Sequence, residues 1–447
     1  MRESPERVVI MGAAGRDFHD YNVVFRDDPD TTVVAFTQAE GQNLAEAGTG
    51  HDRYPPALCG AGEKSGIPIE PEAALERVVD AYEVDRVVFS YSDVSHEHVM
   101  HQASRALTAG ADFGIVGPDR MMLDLDVPVV AVDAVRTGCG KSQLSRKLGV
   151  ELREREYDVA VVREPMPYGD LVEHRVQRFE TVEDIDESAV TIEEREEYEQ
   201  HVERGNVVYD GVDYEAIFAA AQAEADVVVW DGGNNELPFA RPDTHFVLAD
   251  PLRAGAETTY HPGETNLRLA DAVVVNKCNA AEETAIEAVE ASVETTNPDA
   301  AVYRADSVVE IDVGEDIDGI EGEDVLVVED GPTVTHGDAA YGAGTVAARQ
   351  HDANRLTPRG KGVGSVADVL SRYEHLDCVL PAMGYSDDQI ADLEATIEVV
   401  DPDAVVAGTP IDLERIVDVS APVVRARYHI ELHDGNVASI LDAHTGL

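Results

Sequence analysis

Short β-branched runs separated by helix-length stretches recur along this chain, and that alternation leaves few folds open. The runs lie at Val8 to Met11, Thr32 to Phe36, Arg86 to Ser90, Val127 to Val135, Tyr157 to Val162, Asp226 to Trp230, His245 to Ala249 and Ala272 to Val275. Most are apolar throughout rather than at every second position, so both faces of each strand must be covered. Strands of that kind alternating with helices give a parallel sheet between helical layers, and the class is α/β.

At roughly 100 to 200 residues per domain, a chain of this length holds two to four. Residues 1–124 open with VVIMG and the turn GAAGRDFHDYN, resemble a Rossmann-like domain and are expected on the substrate side. Residues 125–300 restart with PVVAVDAVRTGCGKSQLSRKL, the expected nucleotide core with its parallel sheet. Residues 301–447 carry VLVVEDG and GDAAYGAG, and either complete that sheet or form a third domain. The charged stretch 181–205 reads as a solvated helix.

Composition narrows the partners. Asp and Glu number 89 against 34 Lys plus Arg, a formal net charge of −55, and only five lysines occur: Lys64, Lys141, Lys147, Lys277 and Lys361. The balance resembles that of proteins from salt-adapted archaea, whose surface repulsion is screened when molar salt shortens the Debye length to about 3 Å. A field of this sign disfavours nucleic acid and anionic membranes, so neither is expected as a partner. Cys59, Cys139, Cys278 and Cys378 lie far apart without CxxC spacing, which indicates neither a zinc cage nor a disulfide framework. No apolar run approaches the roughly 20 residues of a membrane span, so the expected location is cytoplasmic; a homo-oligomer is left open.

The sharpest motif is RTGCGKS, Arg136 to Ser142. It follows an apolar strand and precedes a helical pattern starting near Lys141. Glycines let backbone N–H groups converge on one point, lysine reaches the β and γ phosphates, and serine can bind magnesium. The expected nucleotide-binding set is therefore Thr137, Gly138, Cys139, Gly140, Lys141 and Ser142. The usual GxxxxGK pattern has glycine where this chain has Val135, so the motif departs at its first position. The run ADVVVWDGGNNELPF ends a strand at Asp231, a natural second magnesium anchor beside Ser142. In VVVNKCN, Asn276 and Lys277 resemble the base-recognition element NKxD of GTP-binding proteins, with Asn279 in place of the aspartate. An amide donates as well as accepts, which weakens the guanine code and leaves ATP open. Arg16 and His19 in the first glycine turn, Arg163 in VREPMPYGDL and His336 in EDGPTVTHGDAAYGAG are positive islands that a polyanionic substrate would need.

In order along the chain, GAAGRDFHDYN, YSDVSHEHVM, AVRTGCGKSQ, PMPYGDL, GVDYEAI, VVWDGGNNELPF, VVVNKCN and EDGPTVTHGDAAYGAG resemble the archaeal cyclic 2,3-diphosphoglycerate synthetase family, over about residues 7 to 430. The resemblance implies a ligase that uses ATP and Mg2+, with K+ open as a companion ion, to close a phosphoanhydride within 2,3-diphosphoglycerate, releasing ADP and phosphate. It implies catalytic roles for Lys141, Arg163 and His336, and substrate binding by Arg16 and His19. Related chains are labelled predicted GTPases, so a regulatory or metallochaperone-type P-loop GTPase is the alternative; a binding module without catalysis is the third reading. The charge balance itself predicts that secondary structure measured by circular dichroism is full in molar KCl and reduced in salt-free buffer; full structure without salt contradicts the salt-adapted reading.

Overall fold

The structure, a computed structural model, describes residues 4–39, 52–60, 65–164, 169–188, 190–313, 317–335, 340–382, 387–409 and 413–447. Contacts divide it into two compact units, one of residues 1–187, 201–306 and 432–447, the other of 188–200 and 307–431.

The larger unit holds two sheets. The first runs Arg53–Tyr54, Ile67–Pro71, Thr31–Gln38, Glu6–Met11, Arg86–Phe89, Asp112–Ile115, parallel except for the first pair. The second runs Val176–Phe179, Val207–Gly211, Val159–Arg163, Val227–Asp231, Val129–Ala134, Thr244–Ala249, Ala272–Val275, Ala301–Asp312, parallel except for Val176–Phe179. All eight runs named from sequence are strands, within a residue or two at each end. Val129–Ala134, Val227–Asp231 and Thr244–Ala249 are buried at every position, as continuous apolar strands require.

The expected boundary at 124 does not separate compact bodies, because one apolar core takes Ile10, Phe18 and Phe36 from the first sheet's segment together with Ala131, Trp230 and Phe239 from the second's. His19 lies flat on Phe239, ring centroids 3.9 Å apart, within the same aromatic stack as Tyr214 and Trp230. The C-terminal end also returns to this unit: the Val437–His444 helix accepts a 2.8 Å bond from the Thr244 hydroxyl at the His444 carbonyl.

The smaller unit is built on Asp324–Glu329, parallel to Asn354–Arg355, Leu380–Pro381 and Ala404–Gly408, the last paired in parallel with Val423–Leu432. The stretch read as a solvated helix forms helices Val182–Glu187 and Ile192–Val202, and the second is not a solvated face. Tyr198, Glu199 and His201 are buried, and Glu199 is matched by Arg195 at 3.2 Å and Arg415 at 3.0 Å. Pairing lets charged side chains enter a core that their composition alone would exclude.

Among the described residues no helix is long and apolar enough to cross a membrane.

Candidate active site

Val129–Ala134 lies between Val227–Asp231 on one side and Thr244–Ala249 on the other, so its C-terminal end sits where successive connections leave in opposite directions. That is where ligand crevices form in open α/β sheets. From this end the chain passes through Arg136–Gly140 into the Lys141–Glu154 helix.

The shape of that loop is set from behind. Arg253 Nη2 donates to the Thr137 carbonyl at 2.7 Å, Lys277 Nζ to the Gly138 carbonyl at 2.6 Å, and Asn276 Nδ2 to the Cys139 carbonyl at 2.9 Å. Asp250 holds both cations in place, 3.1 Å from Arg253 and 2.9 Å from Lys277. In a trans peptide the N–H points opposite to the C=O. Three successive carbonyls drawn to one side therefore turn the N–H groups of Gly138, Cys139 and Gly140 to the other, making a concave cluster of donors at the start of a helix. Gly138 and Gly140 have φ of 79° and 107°, and a Cβ on Gly140 would stand 2.3 Å from Asn276 Nδ2. Only glycine fits both demands.

Asn276 and Lys277, expected at a nucleotide base, are thus placed against the loop carbonyls. Asn276 is fully buried there.

The front of the loop meets the WDGGNNE turn. Lys141 is buried and its ammonium donates to the Asn234 carbonyl; the Thr137 hydroxyl donates to Asn234 Oδ1 at 3.1 Å. Asn235 Nδ2 donates to the Val135 carbonyl at 2.9 Å, and Asn235 Oδ1 receives the Asp93 N–H at 2.8 Å. Arg136 pairs with Asp93 at 2.8 Å and covers the Tyr260 ring at 3.7 Å. Ser142 is half-buried on the first turn of the helix.

Charged groups beneath this turn are almost all matched. Asp231 Oδ2 lies 2.8 Å from Arg163 Nη1 and 3.0 Å from His201 Nε2. Burial would raise its pKa, but Arg163 and His201 outweigh burial and hold the carboxyl below its usual range. Its other oxygen, Oδ1, has no hydrogen-bond partner among the described residues. Arg16 is buried with Glu236 at 3.5 Å, Asp20 at 3.7 Å and the Val116 carbonyl at 3.1 Å, so its charge is already balanced. His19 bonds the Met121 carbonyl through Nε2 at 2.8 Å, and burial pushes its pKa down to about 3. A neutral, stacked imidazole packs the core and brings no charge to an anion, which corrects the expectation of a substrate-binding His19. His336 lies outside the described residues. In the smaller unit, the glycine-rich segment near it is held by its own chain: Glu329 accepts from the N–H groups of Gly342, Gly344 and Thr345 at 2.7 to 3.0 Å.

Several functional candidates escaped the sequence reading. Asp133, inside the loop strand, is fully buried and accepts from Trp230 Nε1 at 3.1 Å and from His245 Nε2 at 2.8 Å. Glu164, following Val159–Arg163, is buried against Gly233, where a Cβ would stand 2.3 Å from Oε2. Glu236 is buried five residues beyond Asp231. The available signal was a lone acid in an otherwise apolar strand, as in VVAVDAV, or at its end. Among the described residues no group of three or more His, Cys, Asp or Glu is arranged to hold a metal.

A buried parallel strand, a glycine loop with converging amides and a helix begun by lysine thus meet at one sheet end of an α/β protein with parallel sheets, the arrangement in which backbone N–H groups can receive an anion. No protein-family model matches the chain. It is 52% identical over 427 residues, 95% of this chain and 94% of the relative, to "Arginine synthetase ArcE" of Thermococcus kodakarensis. The chain belongs to the arginine synthetase ArcE family. Among solved structures it is similar to LpxK from Aquifex aeolicus in complex with ATP, at 14% identity and TM-score 0.39 over 70% of this chain and 86% of that one. It is similar also to the hydrogenase maturation factor HypB of Archaeoglobus fulgidus, at 17% identity and TM-score 0.28 over 40% and 81%.

Two outcomes follow. Lys277→Met removes a carbonyl anchor without touching a phosphate, and should weaken ATP binding about tenfold, roughly 1.4 kcal/mol, in calorimetry; unchanged affinity contradicts the bracing role. Burial pushes Glu236 up to about 7 and Asp17 up to about 6. The native state therefore holds protons that the unfolded chain has released, and the contribution of these groups to stability falls as pH rises from about 4, the unfolded range, to about 7, the folded value of Glu236. Urea midpoints should drop over that interval, and Glu236→Gln should shrink the drop; an equal drop in the variant contradicts the assignment.

Proposed function

We propose that this chain is an ATP-dependent synthetase that forms arginine from its ureido analogue and ammonia, releasing ADP and phosphate. The observation that carries the reading is the 52% identity across 95% of the chain to a protein named arginine synthetase. A ureido carbonyl is a poor electrophile because both nitrogens donate into it. Transfer of the γ-phosphoryl group to the ureido oxygen breaks the Pγ–O bond to ADP and turns that oxygen into a leaving group. Ammonia then forms the new C–N bond at the same carbon, the C–O bond to phosphate breaks, and one proton of the entering nitrogen leaves with phosphate. The remaining positive charge is the guanidinium.

In this reading the N–H groups of Gly138, Cys139 and Gly140 hold the β-phosphate side of ATP, within the set Thr137 to Ser142. Lys141 exchanges its bond to the Asn234 carbonyl for the β and γ phosphates and neutralises charge as the phosphoryl group moves. Magnesium, which screens phosphate charge when bound, would be held by the Ser142 hydroxyl and reached by Asp231, whose Oδ1 is a buried oxygen without a hydrogen-bond partner among the described residues. Arg163 keeps the other Asp231 oxygen fixed.

The resemblance to cyclic 2,3-diphosphoglycerate synthetases shares ATP-driven activation of an oxygen and differs in the acid. The name of the 52% identical relative favours arginine, and so does the charge of the site, where Arg16 and Arg163 are matched by Glu236, Asp20 and Asp231 rather than left for a polyanion. The test is incubation in molar KCl with Mg2+, ATP, ammonium and the ureido acid. Arginine and ADP should appear in equal amounts, and Lys141→Ala should abolish both. Phosphate release and a cyclic product by phosphorus NMR only with 2,3-diphosphoglycerate would replace this reading with the cyclase, and GTP hydrolysis needing neither acid would replace it with the GTPase.

A further inference from the structure

Glu164 stands out among the buried charges of the larger unit. Its side chain is buried, and Oε2 has no hydrogen-bond partner among the described residues. Gly233 lies so close that any side chain there would strike the carboxylate, while the Gly233 N–H bonds it. Burial pushes its pKa well up, Glu236 adds to this, and Lys141 and Arg163 pull the other way. Each of those cations has another partner: Lys141 the Asn234 carbonyl, Arg163 the Asp231 carboxylate, and Arg16, behind them, both Glu236 and Asp20. Two buried carboxylates therefore act on one another electrostatically with local cations already engaged, and Glu164 Oε2 is left without a hydrogen-bond partner among the described residues. A buried carboxylate oxygen without a partner is strongly disfavoured unless the group is protonated or joined by a cation, so the arrangement has a place for one positive charge.

We propose that Glu164, with Glu236 acting on it through space, binds a small N–H-bearing cation at the reaction centre: the guanidinium of arginine, or the ammonium that supplies one of its nitrogens. The proposal rests on the arginine reading and adds the residues that recognise the positive end. A divalent metal fits less well, because Lys141 and Arg163 lie within electrostatic reach of Glu164 and no group of three metal-binding side chains is present among the described residues. A phosphate is repelled by the same carboxylates. A guanidinium or ammonium offers N–H donors to Oε2 and positive charge to both acids, the charge-assisted geometry that carboxylates bind best. The neutral ureido analogue carries no such charge, so the pair also separates product from substrate.

The test uses the full chain loaded with ADP and Mg2+ in molar KCl, titrated calorimetrically with arginine and with its ureido analogue. The wild type should bind arginine about tenfold more tightly, and Glu164→Gln should bring the two within about twofold with ADP affinity unchanged. In turnover, Glu164→Gln should raise the KM for ammonium about tenfold and that for the ureido acid less than about twofold. Loss confined to arginine binding identifies the guanidinium as occupant, and loss confined to the ammonium KM identifies ammonium; either supports the pocket. Unchanged arginine preference together with unchanged ammonium KM overturns it, as does a raised Mg2+ requirement alone, which would make Glu164 a metal ligand. If Glu164→Gln loses ADP binding as well, Glu164→Asp, which keeps the charge but withdraws it, should weaken arginine with ADP retained; retained arginine affinity there overturns the proposal. A wild type that makes no arginine sinks the arginine reading, whereas a wild type that makes arginine unaffected by Glu164→Gln sinks only the pocket.

Discussion

The orientation of three peptide groups governs what this site can do. Thr137, Gly138 and Cys139 turn their carbonyls toward Arg253, Lys277 and Asn276, and the amides of Gly138, Cys139 and Gly140 consequently face a common point. Backbone donors fixed in this way need no rearrangement when a phosphate arrives, which is the physical meaning of a preorganised anion site. Asp250 anchors the two cations that do the holding, so a carboxylate that would itself repel phosphate fixes the shape of the loop from its far side.

The second constraint is charge matching inside a chain poor in cations. With 34 Lys plus Arg against 89 acids, a buried arginine is quickly claimed: Arg16 by Glu236 and Asp20, Arg163 by Asp231. What remains near Lys141 is an excess of carboxylate. That excess suits the proposed reaction, in which a neutral ureido group becomes a guanidinium and positive charge appears where negative charge waits.

Much of this was legible in the residues. Continuous apolar runs announce buried parallel strands, and RTGCGKS between such a run and a helical pattern announces the loop, because both depend on local sequence. The short strands at one end of the first sheet, Arg53–Tyr54 and Ile67–Pro71, have too few residues to show a period. His19 and Arg16 looked like anion ligands because a glycine turn precedes them; that one stacks on Phe239 and the other meets Glu236, more than two hundred residues away, is decided by tertiary packing. Asn276 and Lys277 read from sequence as base ligands, and their placement against the Cys139 and Gly138 carbonyls is decided by tertiary packing. Glu164 and Glu236 were passed over in a chain where acids are everywhere; burial alone distinguishes them.

The central claim is that the chain activates a ureido oxygen by phosphoryl transfer. Labelling that oxygen with heavy oxygen and following turnover with ATP, Mg2+ and ammonium by phosphorus NMR tests it directly. The account predicts that the label leaves in inorganic phosphate, seen as its isotope-shifted signal, in step with arginine. Arginine formed while the phosphate stays unlabelled would contradict it.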